Sequence, residues 1–545
     1  MRLRQTVGFS LLAAALVCGP ATAGPEAAGP EAIAAVPAED AKSAAPVAID
    51  TGAPPEIIAA PANPLAAAIR QQLSEQPIGL TDRDAEERAA VAAFYESRAG
   101  APLWTTTSGL NAQADALLAE IARSADWGLN PYDFAMPKMA LGADVYAEAL
   151  ADAETTLTLT ALKYARYARG GRIMKPPADL SSYLDRAPQL IDPKATLAEL
   201  AATQDVAATL RATHPQHPQF EKLRQKVLAL KKSSRNSAEA KRLLANMEQW
   251  RWMPADMGDL YVWNNIPEYT QRVVKDGQIV HTERIVAGLI DKQTPIFSRP
   301  LRKIVFRPKW KVPESIKVRE VWPSLLHGGG IMAEHGLQIE TKDGQPVPIR
   351  SVDWATADIR EYEVIQPPGP KSVLGNIKFS FPNQHTVFMH DTQDKHLFAA
   401  TQRTYSHGCM RVRNPAKLAE VLLAADKGWD GAMIAELIKA GPLNNEVALD
   451  RKIPVHITYF TAWVGDDGRV ATFRDVYGHE RRITQALDGK WAEIIKGRDH
   501  LAPVEPNIAD AEAIAVRPRA VAAAARRTAA AKPFDFLSAV FGSGF

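Results

Sequence analysis

The hydrophobic pattern of this chain changes its period near residue 247. Before that point, segments such as Ala112–Ser124 and Ala153–Arg169 carry apolar residues at helical spacing. After it, segments such as Asp259–Asn264 alternate between apolar and polar residues, as strands do. The pattern predicts an α+β multidomain protein, in which a mostly helical scaffold domain at 64–247 precedes a β-rich domain at 248–500.

The composition limits the class of protein. The 545 residues are 46% hydrophobic and 23% charged, which excludes a polytopic membrane protein and a wholly disordered chain. Basic residues number 64 and acidic residues 62. Because nucleic-acid binding normally needs an excess of basic side chains on one face, this balance gives no support for a nucleic-acid partner.

Residues 1–23 have the pattern of a signal peptide. Arg2 and Arg4 form a short basic region, Val7–Cys18 is an apolar run, and Ala21-Thr22-Ala23 supplies the small residues that signal peptidase accepts. The run is shorter than the roughly 20 apolar residues that span a bilayer. The pattern predicts export to a bacterial periplasm, with membrane contact only transiently through the signal peptide.

Two segments lack the composition needed for a hydrophobic core. Residues 24–63 are mainly Ala, Pro and Glu with almost no aromatic side chains, and we expect a disordered linker there. Residues 501–545 are rich in Ala, Arg and Pro and end in the apolar segment Phe534–Phe545. We expect a disordered C-terminal tail with a tip suited to docking.

The cysteine count singles out one residue. The chain has two cysteines, Cys18 and Cys409, and Cys18 leaves with the predicted signal peptide. In an exported protein a single thiol is either a buried small hydrophobe or a reactive nucleophile. The count alone does not decide between them.

The neighbours of Cys409 favour the nucleophile. A strand-like segment delivers His390, and the sequence Ser-His-Gly immediately precedes the thiol. A nearby imidazole can accept the proton of a thiol whose pKa is about 8.5. Gly408 allows a tight turn that presents backbone N–H groups to an oxyanion, and Arg411 is suited to hold a substrate carboxylate.

These residues resemble a known family. The segment SHGCMRVRN, with the upstream pair His390-Asp391, resembles the active-site signature of bacterial L,D-transpeptidases, which are periplasmic cysteine enzymes that cross-link peptidoglycan. Upstream segments such as FYESRAGAPLW and ADWGLNPYDF are similar to the large Gram-negative subgroup. The resemblance covers roughly residues 64–500, although only the SHGC segment is highly specific.

The resemblance implies roles for individual residues. It makes Cys409 the nucleophile and His390 the general acid/base. It places His407, Gly408 and Asp391 in the oxyanion region and its surroundings. The same resemblance implies an L,D-transpeptidase catalytic domain at 248–500.

The family places a mobile lid over the cleft, and residues 309–370 form a long, turn-rich insertion in a corresponding region. We expect substrate contacts from Arg411, Tyr405, Trp354 and Asn414. Ordinary core packing is the alternative for Trp354 and Tyr405, and a surface salt bridge is the alternative for Arg411.

The chain departs from the large subgroup in one respect. Those members usually carry a small helical peptidoglycan-binding module between scaffold and catalytic domain. Here only Lys231–Asn246 separates the last scaffold helix from the segment that opens the β-rich region. That length is too short for the module, so docking to the glycan must use the scaffold or the tail.

Three other interpretations remain open. In the first, Cys409 is buried and the histidines are structural. In the second, His390, His396, His407 and Cys409 bind a metal, although their spacing matches no common zinc pattern. In the third, the protein is a non-catalytic cell-wall scaffold, an interpretation that the intact His and Cys disfavour.

The sequence therefore predicts a periplasmic L,D-transpeptidase without a metal or nucleotide cofactor. A Cys409 thioester formed on a tetrapeptide donor stem would release D-alanine and yield a link between two diaminopimelates. The acceptor stays open, because a stem amine, a D-amino acid, water or the terminus of an outer-membrane protein would resolve the same thioester. The sequence does not indicate an oligomeric state. By the family resemblance, carbapenems are expected to acylate Cys409, and most penicillins are expected to react poorly.

Overall fold

The structure is a computed structural model that describes residues 64–506, except 76, 78, 139–146, 232, 233 and 235. The predicted signal peptide, the linker at 24–63 and residues 507–545 of the tail lie outside the described residues. Within the described part of the chain, no helix is long and apolar enough to cross a membrane.

The first half of the described chain is mostly helical, as predicted. In α4 the buried Leu157, Ala161, Tyr164 and Ala168 recur every three or four residues, which places them on one face of the helix. A short hairpin, Thr105–Thr106 (β1) with Gly109–Leu110 (β2), interrupts the helices. The helices are Pro64–Ser74 (α1), Asp82–Ser97 (α2), Ala112–Ala122 (α3), Ala147–Gly170 (α4), Pro176–Asp179 (α5), Pro193–Ala202 (α6), Val206–Ala212 (α7), Pro218–Ala229 (α8) and Ala238–Arg251 (α9).

Strands dominate the second half. They are Leu260–Asn265 (β3), Thr270–Lys275 (β4), Gln278–Gly288 (β5), Ser298–Phe306 (β6), Trp310–Lys311 (β7), Gln338–Glu340 (β8), Pro346–Val347 (β9), Glu363–Gln366 (β10), Ile377–Ser380 (β11), Met389–His390 (β12), Thr404–Ser406 (β13), Met410–Val412 (β14), Asn445–Thr458 (β15), Ala462–Val464 (β16) and Val470–Thr472 (β17). The helices among them are Glu314–Ile316 (α10), Trp322–Leu326 (α11), Gly330–Glu334 (α12), Pro415–Lys427 (α13), Gly431–Lys439 (α14) and His479–Leu487 (α15).

The main sheet closes on itself. Its strand order is β13-β5-β14-β12-β11-β6-β15-β3-β4, and β4 also pairs with β5. The pairs β12–β14, β15–β3 and β13–β5 are parallel, and the remaining pairs are antiparallel. A closed sheet removes the exposed edges that would otherwise need protection, and it brings β12 beside β14.

Two local signals in the sequence act as expected. Asp276 and Gly277 both have positive φ, at 50° and 75°, and they join β4 to β5 in the two-residue hairpin that positive φ at both positions favours. The Asn414 side chain accepts a hydrogen bond from the Lys417 N–H at 3.3 Å and so caps α13. The turn leads into β5, which pairs with β14, and the cap begins α13 directly after β14.

The helical part packs directly against the closed sheet. Ile173, Leu180 and Leu184 belong to the same buried cluster as the core of the sheet. The Ile296 N–H donates to the Tyr183 carbonyl at 2.8 Å, and Arg186 donates to the Ile457 carbonyl at 2.7 Å. The two halves therefore share a core.

The predicted domain boundary at 247 falls inside a helix. α9 continues to Arg251, because its last turn buries Trp250 and Arg251 against neighbouring elements. Residues 230–237 connect α8 to α9. A connection of this length has no room for an additional module, as the sequence indicated.

The predicted lid insertion forms a compact unit. Strands β7, β10, β8 and β9 make a separate four-stranded sheet. The unit has its own buried cluster, which includes Trp310, Trp322, Ile339 and Val364. Between α10 and α11 the chain makes a π-helical turn at Lys317–Val321, a rare feature that often marks functional sites.

Candidate active site

The register of two parallel strands places the predicted catalytic pair. β12 pairs with β14 so that Met389 faces Met410 and His390 faces Arg411. Side chains alternate along a strand, and both methionines point into the fully buried core. His390 and Arg411 therefore point to the opposite face, and Cys409, two residues before Arg411, lies on that face too.

These side chains line one cavity of about 600 Å³. Cys409, His390, His407 and Arg411 all contribute to its wall. The insertion supplies Trp310 and the turn around Glu320, and residues 496–504 form a further part of the wall. The cavity therefore combines the predicted motif with two segments that lie far from it in sequence.

Cys409 is an unpaired cysteine of intermediate exposure. Burial raises the pKa of Cys409 to about 11, and a backbone hydrogen bond at Phe388 and the nearby Lys378 and Arg411 charges oppose this increase. The thiol is therefore protonated at neutral pH. A nucleophilic role needs a base that removes the proton as the sulfur attacks.

His390 is arranged to act as that base. Its Nδ1 lies 2.5 Å from the Asp391 carbonyl oxygen. Since a carbonyl can only accept, Nδ1 carries the hydrogen and Nε2 is the free lone pair. Burial lowers the pKa of His390 to about 3, and the Arg411 charge lowers it further. The resting pair is therefore a neutral imidazole and a neutral thiol.

Asp391 acts through its backbone carbonyl in holding His390. Its carboxylate accepts hydrogen bonds from the Asn376 N–H at 2.9 Å, the Thr392 N–H at 2.7 Å and Lys395 Nζ at 2.6 Å. These contacts fix the loop after β12. The residue therefore lies in the surroundings of the candidate catalytic pair, where its carbonyl contacts His390.

Gly408 makes the turn that precedes the thiol. Its φ is +109°, a conformation that favours glycine. Its N–H donates to Ser406 Oγ at 3.2 Å, and its carbonyl accepts from Thr294 Oγ1 at 2.8 Å. The Gly408 N–H is therefore occupied by Ser406, and the contribution of Gly408 to the site is the shape of the turn.

His407 connects the motif to the insertion. Its Nε2 lies 2.5 Å from Lys292 Nζ and 3.3 Å from Glu320 Oε1. Burial lowers the pKa of His407, and Glu320 opposes this effect. Sequence reasoning missed Lys292 and Glu320, because no local pattern relates them to the motif.

Arg411 forms a buried ion pair. Its Nη1 lies 2.8 Å from Asp394 Oδ2, and 3% of the residue is exposed. The alternative to carboxylate binding was a surface salt bridge, but this pair is buried. The guanidinium lies on the face shared by Cys409 and His390, where its charge lowers the pKa of both.

Three predicted substrate contacts lie outside the cavity wall. Trp354 is buried in the core of the insertion and donates from Nε1 to the Ile349 carbonyl at 2.8 Å. Tyr405 is half-buried on β13. Asn414 uses its side chain as the cap of α13. Packing accounts for Trp354 and capping accounts for Asn414. None of the three residues lines this cavity, and substrate contact stays a prediction for them.

The candidate metal ligands do not converge. His396 is exposed on a short helix at Lys395–Ala399 and is absent from the cavity wall. Among the described residues, no group of three or more His, Cys, Asp or Glu side chains is placed to hold a metal ion.

A C-terminal segment closes part of the cavity. His500 stacks on Tyr183 with ring centroids 3.8 Å apart, and its Nδ1 lies 2.7 Å from Ser182 Oγ. Arg360 of the insertion donates to Glu505 at 2.8 Å. The sequence placed the start of a disordered tail at 501, but residues 501–504 belong to the cavity wall.

Buried neutral histidines make the fold sensitive to acid. Burial lowers the pKa of His390 to about 3 and that of His456 to about 4, whereas an unfolded histidine titrates near about 6.5. The unfolded state therefore binds more protons between pH 6.5 and 4. We expect the free energy of unfolding to fall by several kcal/mol over this range, because each such histidine lowers it by about 1.4 kcal/mol for every pH unit between its two pKa values.

Calorimetry between pH 7 and 4.5 measures this effect as a falling Tm. His456 holds both ring nitrogens in hydrogen bonds, to Ser298 Oγ at 2.7 Å and to the Met257 carbonyl at 3.0 Å. His456→Gln should therefore show a weaker dependence of Tm on pH. A Tm that is constant or rises as the pH falls would contradict the expectation.

Comparison with known proteins agrees with the predicted family and fold class. Residues 259–433 match the L,D-transpeptidase catalytic domain, and residues 89–227 match the family described as the Scaffold domain. The chain therefore carries an L,D-transpeptidase catalytic domain behind a helical scaffold domain. The family and the fold class predicted from the sequence are confirmed.

Individual proteins are similar to parts of the chain. A Haemophilus influenzae protein that is provisionally named an L,D-transpeptidase is 29% identical over 255 residues, which are 47% of this chain and 51% of that protein. The chain thus spans about half the length of this curated relative. The solved catalytic domain of an Enterococcus faecium L,D-transpeptidase acylated by ertapenem is 13% identical, with 37% of this chain and 99% of that chain covered and a TM-score of 0.18. An L,D-transpeptidase from Mycobacterium smegmatis is 13% identical, with coverages of 37% and 58% and a TM-score of 0.17.

Proposed function

We propose that this protein is exported to the periplasm and joins two diaminopimelate residues of peptidoglycan through a thioester on Cys409, with release of D-alanine. One observation carries the proposal. The parallel register of β12 and β14 directs His390 and Cys409 to the same face, and both line the same cavity. The matched catalytic domain is consistent with peptidoglycan cross-linking.

The first step forms the thioester. The Cys409 sulfur attacks the carbonyl carbon that links diaminopimelate to the terminal D-alanine of a tetrapeptide stem, and His390 Nε2 takes the thiol proton. The C–N bond then breaks, and His390 returns this proton to the amine that leaves as D-alanine. Because both groups are neutral at rest, proton transfer accompanies the attack rather than preceding it.

The turn before the thiol helps to stabilise the tetrahedral intermediate. Gly408 orients the backbone so that the Cys409 N–H donates to the oxyanion that develops on the attacked carbonyl. The Arg411 guanidinium adds a fixed positive charge on the same face. The Asp391 carbonyl keeps the His390 ring in the tautomer that both proton transfers need.

The second step transfers the acyl group. The side-chain amine of a second stem attacks the thioester carbonyl, His390 Nε2 accepts its proton, and the C–S bond breaks to regenerate the thiol. A D-amino acid, water or the terminus of an outer-membrane protein would resolve the same thioester. The acceptor that is present therefore determines the product.

Incubation of the protein with purified disaccharide-tetrapeptides, followed by mass analysis, tests the proposal. We expect a dimer whose mass equals two substrates less one D-alanine, together with free D-alanine. The matched control is a disaccharide-tripeptide, which lacks the terminal D-alanine and should yield no dimer by itself. An unchanged tetrapeptide pool would overturn the proposed function, and a tripeptide pool without dimers would identify water as the acceptor.

A further inference from the structure

A segment outside the matched catalytic domain forms part of the cavity wall. We call residues 496–504 the C-terminal strap; they line the cavity, whereas the matched domain ends at residue 433. Lys496 Nζ donates to the Ala178 carbonyl at 2.7 Å. His500 lies between Tyr183 and His385, with its Nε2 2.8 Å from His385 Nδ1. The strap is therefore held at several points along its length.

The strap brings an unpaired cation to the cavity. Arg498 lines the cavity and has no hydrogen-bond or ion-pair partner among residues 64–506 that the structure describes. Arg319 lines the same cavity from the π-helical turn of the insertion, and it also lacks such a partner within the described chain. Two guanidinium groups from distant segments are thus available to a ligand.

Arg319 and Arg498 line the same cavity as Tyr183. The charges of both act on the hydroxyl of Tyr183, where they oppose the increase in its pKa that burial causes. Tyr183 itself lines the cavity. Asp291 acts on the same hydroxyl in the opposite direction, but it forms no ion pair with either arginine within the described residues. The N–H donors of Arg319 and Arg498 therefore remain available to a ligand.

The charge of the cavity favours an anion. Six basic and four acidic side chains line it. Lys292 is paired with Glu320, and Arg411 is paired with Asp394, so these cations are already neutralised by the protein. A guanidinium offers a planar fork of donors that matches a carboxylate, and it binds a carboxylate more specifically than an ammonium group does.

We propose that Arg319 and Arg498 form a subsite for a carboxylate of the donor stem peptide. This inference rests on the proposed function, because it takes the stem peptide as the ligand, and it adds the C-terminal strap to the substrate site. The strap supplies one side of a carboxylate clamp and the insertion supplies the other. Arg411, which is paired with Asp394, is then not the residue that recognises this carboxylate.

Binding of a stem peptide to the full chain carrying Cys409→Ala tests the subsite without turnover. The probes are the free-acid tetrapeptide and the same peptide with every carboxyl group amidated, and the measurement is Kd by titration calorimetry. We expect Arg498→Gln and Arg319→Gln each to weaken binding of the free acid by about 3- to 10-fold, the range for a partly exposed charge-assisted hydrogen bond. The amidated peptide should bind these variants as it binds the parent.

The double variant and a matched control sharpen the test. Arg319→Gln with Arg498→Gln should remove the preference for the free acid over the amidated peptide. Arg350→Gln replaces an exposed arginine of the insertion that does not line the cavity, and it should leave both affinities unchanged. Thermal unfolding of each variant verifies that the fold is intact.

The outcomes separate this inference from the proposed function. A parent that binds neither peptide would overturn both. A parent that binds the free acid, with variants that lose nothing or lose equal affinity for the acid and the amide, would overturn the carboxylate subsite alone. A loss confined to the free acid supports the subsite.

Discussion

Replacing Cys409 with Ser is expected to abolish both turnover of stem peptides and stable acylation by a carbapenem. The serine hydroxyl holds its proton more strongly than the thiol, so transfer of that proton to His390 during the attack costs more free energy. We expect a loss of at least about 10⁴-fold in the rate of turnover. The assay is dimer formation from disaccharide-tetrapeptides.

The same substitution should leave the fold intact. Cys409 is a partly buried residue that packs against the buried cluster from outside it, so an oxygen in place of sulfur creates no large cavity. The Tm of Cys409→Ser should therefore match that of the parent. Cross-linking by this variant at an appreciable fraction of the parental rate would overturn the assignment of the nucleophile.

Replacing His390 with Ala is expected to slow formation of the thioester by about 10²- to 10⁴-fold, which is the usual contribution of a general base. The thiol remains and should still react with alkylating reagents at high pH, because burial raises its pKa to about 11. Single-turnover acylation, followed by mass spectrometry, measures the effect on this step alone.

His407→Ala is the matched control for this prediction. His407 lines the same cavity, but its Nε2 contacts Lys292 and Glu320. Its loss should therefore disturb the contact with the insertion and slow acylation less than the loss of His390 does. If His407→Ala were inactive and His390→Ala were not, the roles of the two histidines would be reversed.

The candidate motif could be found in the sequence because its residues lie close together in the chain. The segment from His390 to Arg411 begins on β12 and ends on β14, so residues that are close in the chain meet across one parallel pair. The fold class could also be predicted, since helical and alternating patterns report directly on the faces that are buried. Turn chemistry at Asp276-Gly277 and the cap at Asn414 are equally local.

The substrate contacts were harder to predict because side-chain type does not determine location. A tryptophan such as Trp354 can fill a core or contact a ligand, and here it packs inside the insertion. Asn414 can cap a helix or bind a substrate, and its side chain cannot do both at once. The sequence identifies these residues as candidates but gives no distance to the cavity.

Long-range parts of the cavity gave no signal. Glu320 and Lys292 meet His407 only after the insertion has folded against the closed sheet. Residues 496–504 have the composition of a loop, and local composition does not report the stacking of His500 on Tyr183. Such contacts join segments that lie far apart in the chain, which no periodic pattern encodes.

Intact-mass spectrometry after incubation with a carbapenem tests the central claim most directly, because a soft thiolate that opens the strained lactam ring leaves a covalent thioester on the residue that attacked. We predict that the parent protein gains the mass of one carbapenem and that peptide mapping places the adduct on Cys409. The variant Cys409→Ala should gain no mass. A parent protein without an adduct, or an adduct that persists in Cys409→Ala, would contradict the account.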